Sequence, residues 1–364
     1  MPGYCQRKRS SPHTRHSPLA TPRLFVVGYP GDVGGANTEC WHTVRLWRRF
    51  GVEVTCIPTW RPEPGWRRRL EAIGCDTVRT SPRRLDRVPD LRRGVVVSFC
   101  NSRFLRHADR FRDLGCRIVW VGCMTWLFAA ERRHYRRRGP FHRYVFQSAY
   151  QRSELQPQLA RLGVGPEQCH SIRGAFFADE FPFRPRSHEP DAPLVVGRIS
   201  RAVPEKFAPD TWAIYGKIPR PVKARVLGWS RAVEEKLGPP PPWAECLAPG
   251  DETPQQFLGS LHAMLQVNGG EAENWPRSGL EAMAVGVPLV AQNRWGWREM
   301  IRHGQTGFLA ESDDELARYT TRLAHDEDLR LEMARRARRA LERELADPET
   351  IWSGWRRLFE GLEG

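Results

Sequence analysis

Short apolar runs recur along this chain, and they are continuous rather than alternating. Leu24–Val27, Gly94–Phe99 (GVVVSF), Arg117–Gly122 (RIVWVG), Pro193–Ile199 (PLVVGRI), Ala263–Asn268 and Val287–Ala291 are the clearest. A strand buried on both faces reads this way, and a strand with one face in water does not. Between the runs lie stretches with helical spacing. In the first unit Trp41, Val44, Trp47 and Phe50 recur at that spacing, Gly51 ends the helix, and Val52–Ile57 is the next strand. Strands that alternate with helices predict an α/β protein with doubly wound parallel sheets.

The length of 364 residues is long for one such domain and comfortable for two. Residues 184–192 (RPRSHEPDA) are polar and Pro-containing, which suits a linker. Residues 21–185 are then expected to form a first Rossmann-like domain and 193–345 a second. Residues 1–20 read as a basic, Pro/Ser-rich disordered tail, with no apolar core that would suggest a secretory signal. Arg225–Gly228 reads as a further strand, 238–242 (GPPPP) as a rigid turn, and 326–345 as a charged helix. Ile351, Trp352, Trp355, Phe359 and Leu362 give a closing segment, 346–364, one apolar stripe.

No run of eighteen apolar residues is present, so no membrane-spanning helix is expected. Nine scattered cysteines without a C-x-x-C pair argue for a reducing cytoplasm and against a zinc site. The formal net charge is +15, carried mostly by arginine spread through the chain. That spread argues against nucleic acid as a partner. The densest cluster, ERRHYRRRGPFHR at 131–143, could meet an anionic acceptor or lipid headgroups, so peripheral contact with an anionic membrane is one expectation.

Two carboxylates, Glu273 and Glu281, flank a helix start in ENWPRSGLE. Pro276 suits the first helical position, because its missing N–H would be unpaired there anyway. The free amides near Ser278, Gly279 and Leu280 would then point out beside both carboxylates. Such amides favour an anion, while the carboxylates accept from hydroxyls. This combination asks for a ligand with a phosphate and flanking hydroxyls, such as a nucleotide-sugar. A dinucleotide enzyme fits less well. The loop after Leu24–Val27 carries Gly28, Gly31, Gly34 and Gly35 but no G-x-G-x-x-G, and no acidic residue ends the second strand, at Cys56–Ile57.

Glu273-x7-Glu281, then AMAVGVPLVA, Gly296, Glu299 and HGQTGFL, resembles in order and spacing the C-terminal signature of retaining glycosyltransferases of family 4. The resemblance implies the GT-B architecture, two Rossmann-like domains facing a cleft, with the second binding the nucleotide-sugar. It implies that Gly34 and Gly35 let backbone amides approach the donor, and that Arg198 (of Gly-Arg) and Lys206 grip its diphosphate. Ser278, Gly279 and Leu280 would offer amides, Glu281 would hold the ribose, and Glu273 would orient the donor sugar. The catalytic set implied is Glu273, Arg198 and Lys206, with no cofactor and no metal. In such enzymes the last helix often crosses back to the first domain. The chain departs from the family in two places. The gap from Arg198 to Lys206 is longer than usual, and Phe207 stands where glycine commonly follows the lysine. The strand RIVWVG is followed by Cys123, Met124 and Thr125, where relatives often carry a histidine. The expected activity is transfer of a hexosyl group to an unidentified hydroxyl acceptor, in the cytoplasm or at the inner membrane face. A nucleotide-sugar epimerase and a non-catalytic binder of nucleotide-sugars or anionic polymers are the alternatives. An epimerase needs no acceptor, and a polymer binder should show steep salt dependence.

Overall fold

The computed structural model describes residues 23–28, 30, 35–59, 64–189, 192–219 and 222–363. The tail expected over 1–20, Gly31, Gly34 and positions 190–191 of the expected linker lie outside these residues.

Thirteen strands are seen among the described residues, all pairing in parallel. The first sheet contains β1 (Leu24–Val27), β2 (Val54–Ile57), β3 (Asp76–Thr77), β4 (Val95–Phe99), β5 (Arg117–Val121), β6 (Arg143–Phe146) and β7 (Cys169–Ser171). Its spatial order is β3-β2-β1-β4-β5-β6-β7. The second sheet contains β8 (Leu194–Ile199), β9 (Val222–Leu227), β10 (Ala244–Leu247), β11 (Ala263–Gln266), β12 (Leu289–Gln292) and β13 (Gly307–Ala310). Its order is β10-β9-β8-β11-β12-β13. Both sheets reverse direction of growth once, between β1 and β4 in the first and between β8 and β11 in the second. In open parallel sheets, ligands collect at the carboxyl ends of the strands beside such a reversal.

The central strands are buried on both faces, as their continuous apolar sequence requires. One face of the first sheet packs Val44, Trp47 and Leu70 over Leu24, Val26, Val95 and Val97. The other packs Phe104, Phe111, Leu155 and Leu159 over Phe25, Ile118 and Trp120. In the second sheet, Leu280, Met283 and Trp297 lie over Met264, Leu289 and Ala291. The opposite face is closed by Ile214, Tyr215, Leu316 and Leu323.

Several helix starts are written into the sequence as caps. Ser148 accepts from the amide of Gln151, Ser312 from Glu315, and Asp326 from Leu329. Thr253 and Gln256 form a reciprocal capping box. The helix Pro348–Glu363 turns its stripe onto the core of the first sheet. Trp355 meets Trp47 edge-on at 4.9 Å, and Trp352 stacks on Phe50 at 5.2 Å. Arg117 and Arg143 cap its end by donating to the carbonyls of Leu362 and Gly361. The described cysteines are all free thiols. No helix among the described residues is long and apolar enough to cross a membrane.

Candidate active site between the two sheets

A cavity of about 380 Å³ opens between the carboxyl ends of the two sheets. The first half contributes Gly35, Asn37 and Glu39 after β1, Cys123 to Trp126 after β5, and Gln147 after β6. The second half contributes Ile199 at the end of β8, Ser200, Arg201 and Lys206 after it, and Glu271 to Ser278 after β11. The cavity therefore sits beside both chain reversals.

Lys206 is the focus of the second-half wall. Its Nζ lies 2.9 Å from Glu273 Oε1 and 3.2 Å from Glu271 Oε2. Arg201 donates to Glu271 Oε1 at 2.8 Å. Two cations and two carboxylates thus alternate along one wall, Arg201–Glu271–Lys206–Glu273. The loop that carries Glu273 is held tightly. The amide of Gly296 donates to Glu273 O at 2.9 Å. A Cβ on Gly296 would come within 1.7 Å of Asn274 O, so only glycine allows this approach.

The helix after this loop spans Arg277–Val285, and Pro276 is its N-cap rather than its first residue. The amide of Gly279 is already taken by Pro276 O at 3.0 Å. The free amides at the cavity are therefore those of Arg277 and Ser278, one step earlier than the sequence suggested. Gly279 and Leu280 do not line the cavity. Leu280 is fully buried in the core, and a Cβ on Gly279 would meet Met300 Sδ at 2.5 Å and Trp297 at 2.8 Å. Their small size and apolarity serve packing beneath the helix.

Arg198 also departs from expectation. It lies behind the cavity wall, fully buried, with its guanidinium 4.1 Å from the centre of the Phe207 ring. It donates to Lys206 O at 2.7 Å and to Val267 O. Burial pulls its pKa down to about 10, with Tyr215 and Glu273 opposing. Its visible work is to tie the loop after β8 to the end of β11, which positions Lys206. Phe207, where a glycine was expected, supplies the ring that covers this guanidinium. Gly35 begins the helix Gly35–Arg49 at the cavity edge, with open space where a Cβ would be.

Glu281 sits a turn below the cavity, partly buried, and is not among the cavity-lining residues. Burial pushes its carboxyl up to about 7, with Arg277 opposing. A carboxyl raised on folding adds stability that is complete below the ordinary value of 4.5 and is lost as pH rises through about 7. Glu281→Gln should therefore raise the melting temperature over wild type more at pH 8 than at pH 5. Thermal melts at the two pH values check this, and equal differences at both would contradict it.

Three side chains of the second half, Arg277, Asn274 and Glu299, bond to the first around the cavity. Arg277 Nη1 donates to Glu39 Oε2 at 3.0 Å and to Ala175 O at 3.1 Å. Burial pushes the Glu39 carboxyl above its ordinary range, opposed by Arg277 and by hydrogen bonds from Thr43 and the Ala175 amide. Asn274 accepts from Ser148 Oγ at 2.6 Å and donates to Gln147 Oε1 at 3.1 Å and to Cys123 O at 3.3 Å. Glu299 accepts the amides of Ala149 and Tyr150, at 2.8 and 2.7 Å, where a negative charge complements a helix N-terminus. None of Glu39, Glu271, Asn274 and Arg277 stood out in the sequence. Arg277 was legible only as a residue inside the E-x7-E signature. Glu39, Asn274 and Arg277 matter through partners far away in the chain.

No histidine lines the cavity among the described residues. Cys123 occupies that region, with its amide donating to Cys100 Sγ at 2.8 Å. Trp126 is 44% exposed and lines both this cavity and a neighbouring one of about 520 Å³. Outside the cleft, Arg132, Arg133, Arg136 and Arg137 line a shallow groove of about 470 Å³ on the helix Ala129–Arg138. Among the described residues no group of three or more His, Cys, Asp or Glu could hold a metal ion.

Two sheets whose carboxyl ends face one cleft define the GT-B architecture. Residues 252–340 match the family model of glycosyl transferases group 1, and the chain carries that domain there. Over 81 residues the chain is 38% identical to N-acetyl-alpha-D-glucosaminyl L-malate synthase of Bacillus anthracis, a match covering 20% of this chain and 21% of that protein. Whole-chain likeness is to solved structures. Anabaena Alr3699/HepE in complex with UDP-glucose superposes with a TM-score of 0.68 at 15% identity, over 94% of this chain and 99% of that one. A TarM variant of S. aureus, solved with fondaparinux, alpha-GlcNAc-glycerol and UDP, gives 0.69 at 12% identity, over 93% and 99%. Sucrose-phosphate synthase of Thermosynechococcus elongatus gives 0.69 at 14% identity, over 94% and 99%.

Proposed function

We propose that the protein is a retaining glycosyltransferase that moves a hexosyl group from a nucleotide-sugar to a hydroxyl acceptor. The observation that carries this reading is Lys206 held against Glu273 beside the free amides of Arg277 and Ser278, at the carboxyl ends of β8 and β11. In transfer the bond between the anomeric carbon and the phosphate oxygen breaks, and negative charge builds on the leaving diphosphate. Lys206, Arg201 and the helix amides would meet that charge, in a role a metal ion fills elsewhere. Glu273, once Lys206 turns to the phosphate, is free to accept from donor-sugar hydroxyls and to face the positive charge at the anomeric carbon. The acceptor oxygen bonds to that carbon, and its proton passes to the leaving phosphate. Arg198 acts by positioning Lys206, and Glu281, one turn below the cavity, is the group that the signature assigns to the ribose hydroxyls. The likeness to proteins solved with UDP and UDP-glucose makes uridine the first nucleotide to test.

Proton NMR of the reaction with α-linked nucleotide-sugars tests the stereochemistry, and an α-linked glycoside is expected. A β-linked product would contradict retention, and a C2-epimer formed without acceptor would identify an epimerase instead. The arginine groove on Ala129–Arg138 is the surface for contact with anionic lipid. Co-sedimentation with anionic vesicles in low and high salt tests that contact, and no binding at low salt would exclude it.

A further inference from the structure

The cavity between the sheets is lined, among the described residues, by three cations and three carboxylates: Arg201, Lys206, Arg277, Glu39, Glu271 and Glu273. Each of these cations is already paired. Arg277 is held by Glu39 at 3.0 Å, Arg201 by Glu271 at 2.8 Å, and Lys206 by Glu273 and Glu271 at 2.9 and 3.2 Å. Arg277 spends Nη1 on both Glu39 Oε2 and Ala175 O, and its other two nitrogens are buried away from the cavity. A donor diphosphate can therefore draw only on Lys206 and Arg201. When it does, Glu271 and Glu273 lose their partners and remain beside the sugar as two carboxylates. The rest of the wall, from Asn37, Cys123 to Trp126 and Gln147, is neutral. Lys236 lies in the neighbouring cavity and donates to Pro204 O at 2.8 Å.

Resting on the donor-site reading above, we propose that Glu271 is a specificity-determining residue that restricts the donor sugar to neutral or amino sugars and rejects sugar acids. The physical reason is charge balance. Hydroxyl and ammonium groups donate to carboxylates. A uronate carboxylate would instead meet two like charges, with no unpaired cation in reach among the described residues. Glu271 also differs from Glu273 in what its loss does. Removing Glu271 takes away one of the two like charges a sugar carboxylate would meet, while Glu273 still holds Lys206 in the free protein.

The test is calorimetric titration of the intact protein, wild type and Glu271→Gln, with UDP, UDP-glucose and UDP-glucuronate. Wild type is expected to bind UDP-glucose at least about tenfold more tightly than UDP-glucuronate. In Glu271→Gln that ratio should shrink by about tenfold, through tighter UDP-glucuronate binding, with UDP affinity equal to or above wild type. Near-equal affinities of wild type for the two sugars, or an unchanged ratio in the variant, would overturn the proposal while leaving the donor site standing. Failure of a folded protein to bind UDP, either UDP-sugar or any other nucleoside diphosphate would instead strike the donor-site reading, and this inference with it. The comparison needs no acceptor, so its outcome does not depend on acceptor identity.

Discussion

Glu273→Gln is expected to lower sugar transfer by about a hundredfold or more, the scale seen when one key electrostatic group is removed from an active site. The substitution keeps shape and hydrogen-bonding capacity and removes one negative charge. Misfolding is not expected, because Lys206 keeps Glu271 at 3.2 Å and is not left as an unpaired buried cation. Affinity for the nucleoside diphosphate should be unchanged or higher, since one carboxylate beside the phosphate is gone. Turnover and nucleotide affinity measured on the same sample separate the two effects. Wild-type turnover in the variant would contradict the role given to Glu273. Loss of turnover with weakened nucleotide binding would point to a disrupted loop instead.

The largest effect on stability is expected from Arg277→Ala. Its partner Glu39 is 4% exposed and, among the described residues, is otherwise held by Thr43 and the Ala175 amide. Breaking a buried pair from one side costs about 3–5 kcal/mol, because the remaining charge is left uncompensated. Glu39 already lies above the ordinary carboxyl range by burial, and loss of Arg277 raises it further. A carboxyl raised on folding makes the native state lose stability as pH rises through its folded value. The deficit of Arg277→Ala should thus be larger at pH 8 than at pH 5.5. Adding Glu39→Gln should restore much of the melting temperature at pH 8. A single variant that melts like wild type at both pH values would show that the pair contributes little. The pair joins the Gly35–Arg49 helix of the first half to the Arg277–Val285 helix of the second, so its loss should also change how the halves meet.

The fold was largely legible, and the reason is burial. LFVV, VVVSF, RIVWV and LVVGRI are central strands covered on both faces, so nothing in them needs to be polar. The strands that escaped notice are the four at the sheet edges, Gly307–Ala310 among them. Asp76–Thr77 is two residues long, Cys169–Ser171 is three, and Ala244–Leu247 is an edge strand with every residue only partly buried. An edge strand needs less apolar sequence, so composition marks it weakly.

The site divides along a similar line. Glu273 stood out by its E-x7-E spacing and Lys206 by its place after Gly-Arg despite a long gap, and the fold brings them to 2.9 Å. Arg198 was legible as a motif residue, but its burial under Phe207 depends on packing that the motif does not encode. Gly279 and Leu280 sat in the right segment, yet the helix began one residue later than Pro276 suggested, which turned them into the core. Glu39 and Arg277 are 238 positions apart, and only the three-dimensional structure makes them a pair.

The account stands on the donor site at Lys206 and Glu273. Thermal shift against a panel of nucleoside diphosphates and nucleotide-sugars tests it most directly, because a ligand that binds only the native state must raise the midpoint. A clear shift with one nucleotide, lost in Lys206→Ala, is the expected result. A folded protein that shows no shift with any nucleotide, or a shift that survives intact in Lys206→Ala, would contradict it.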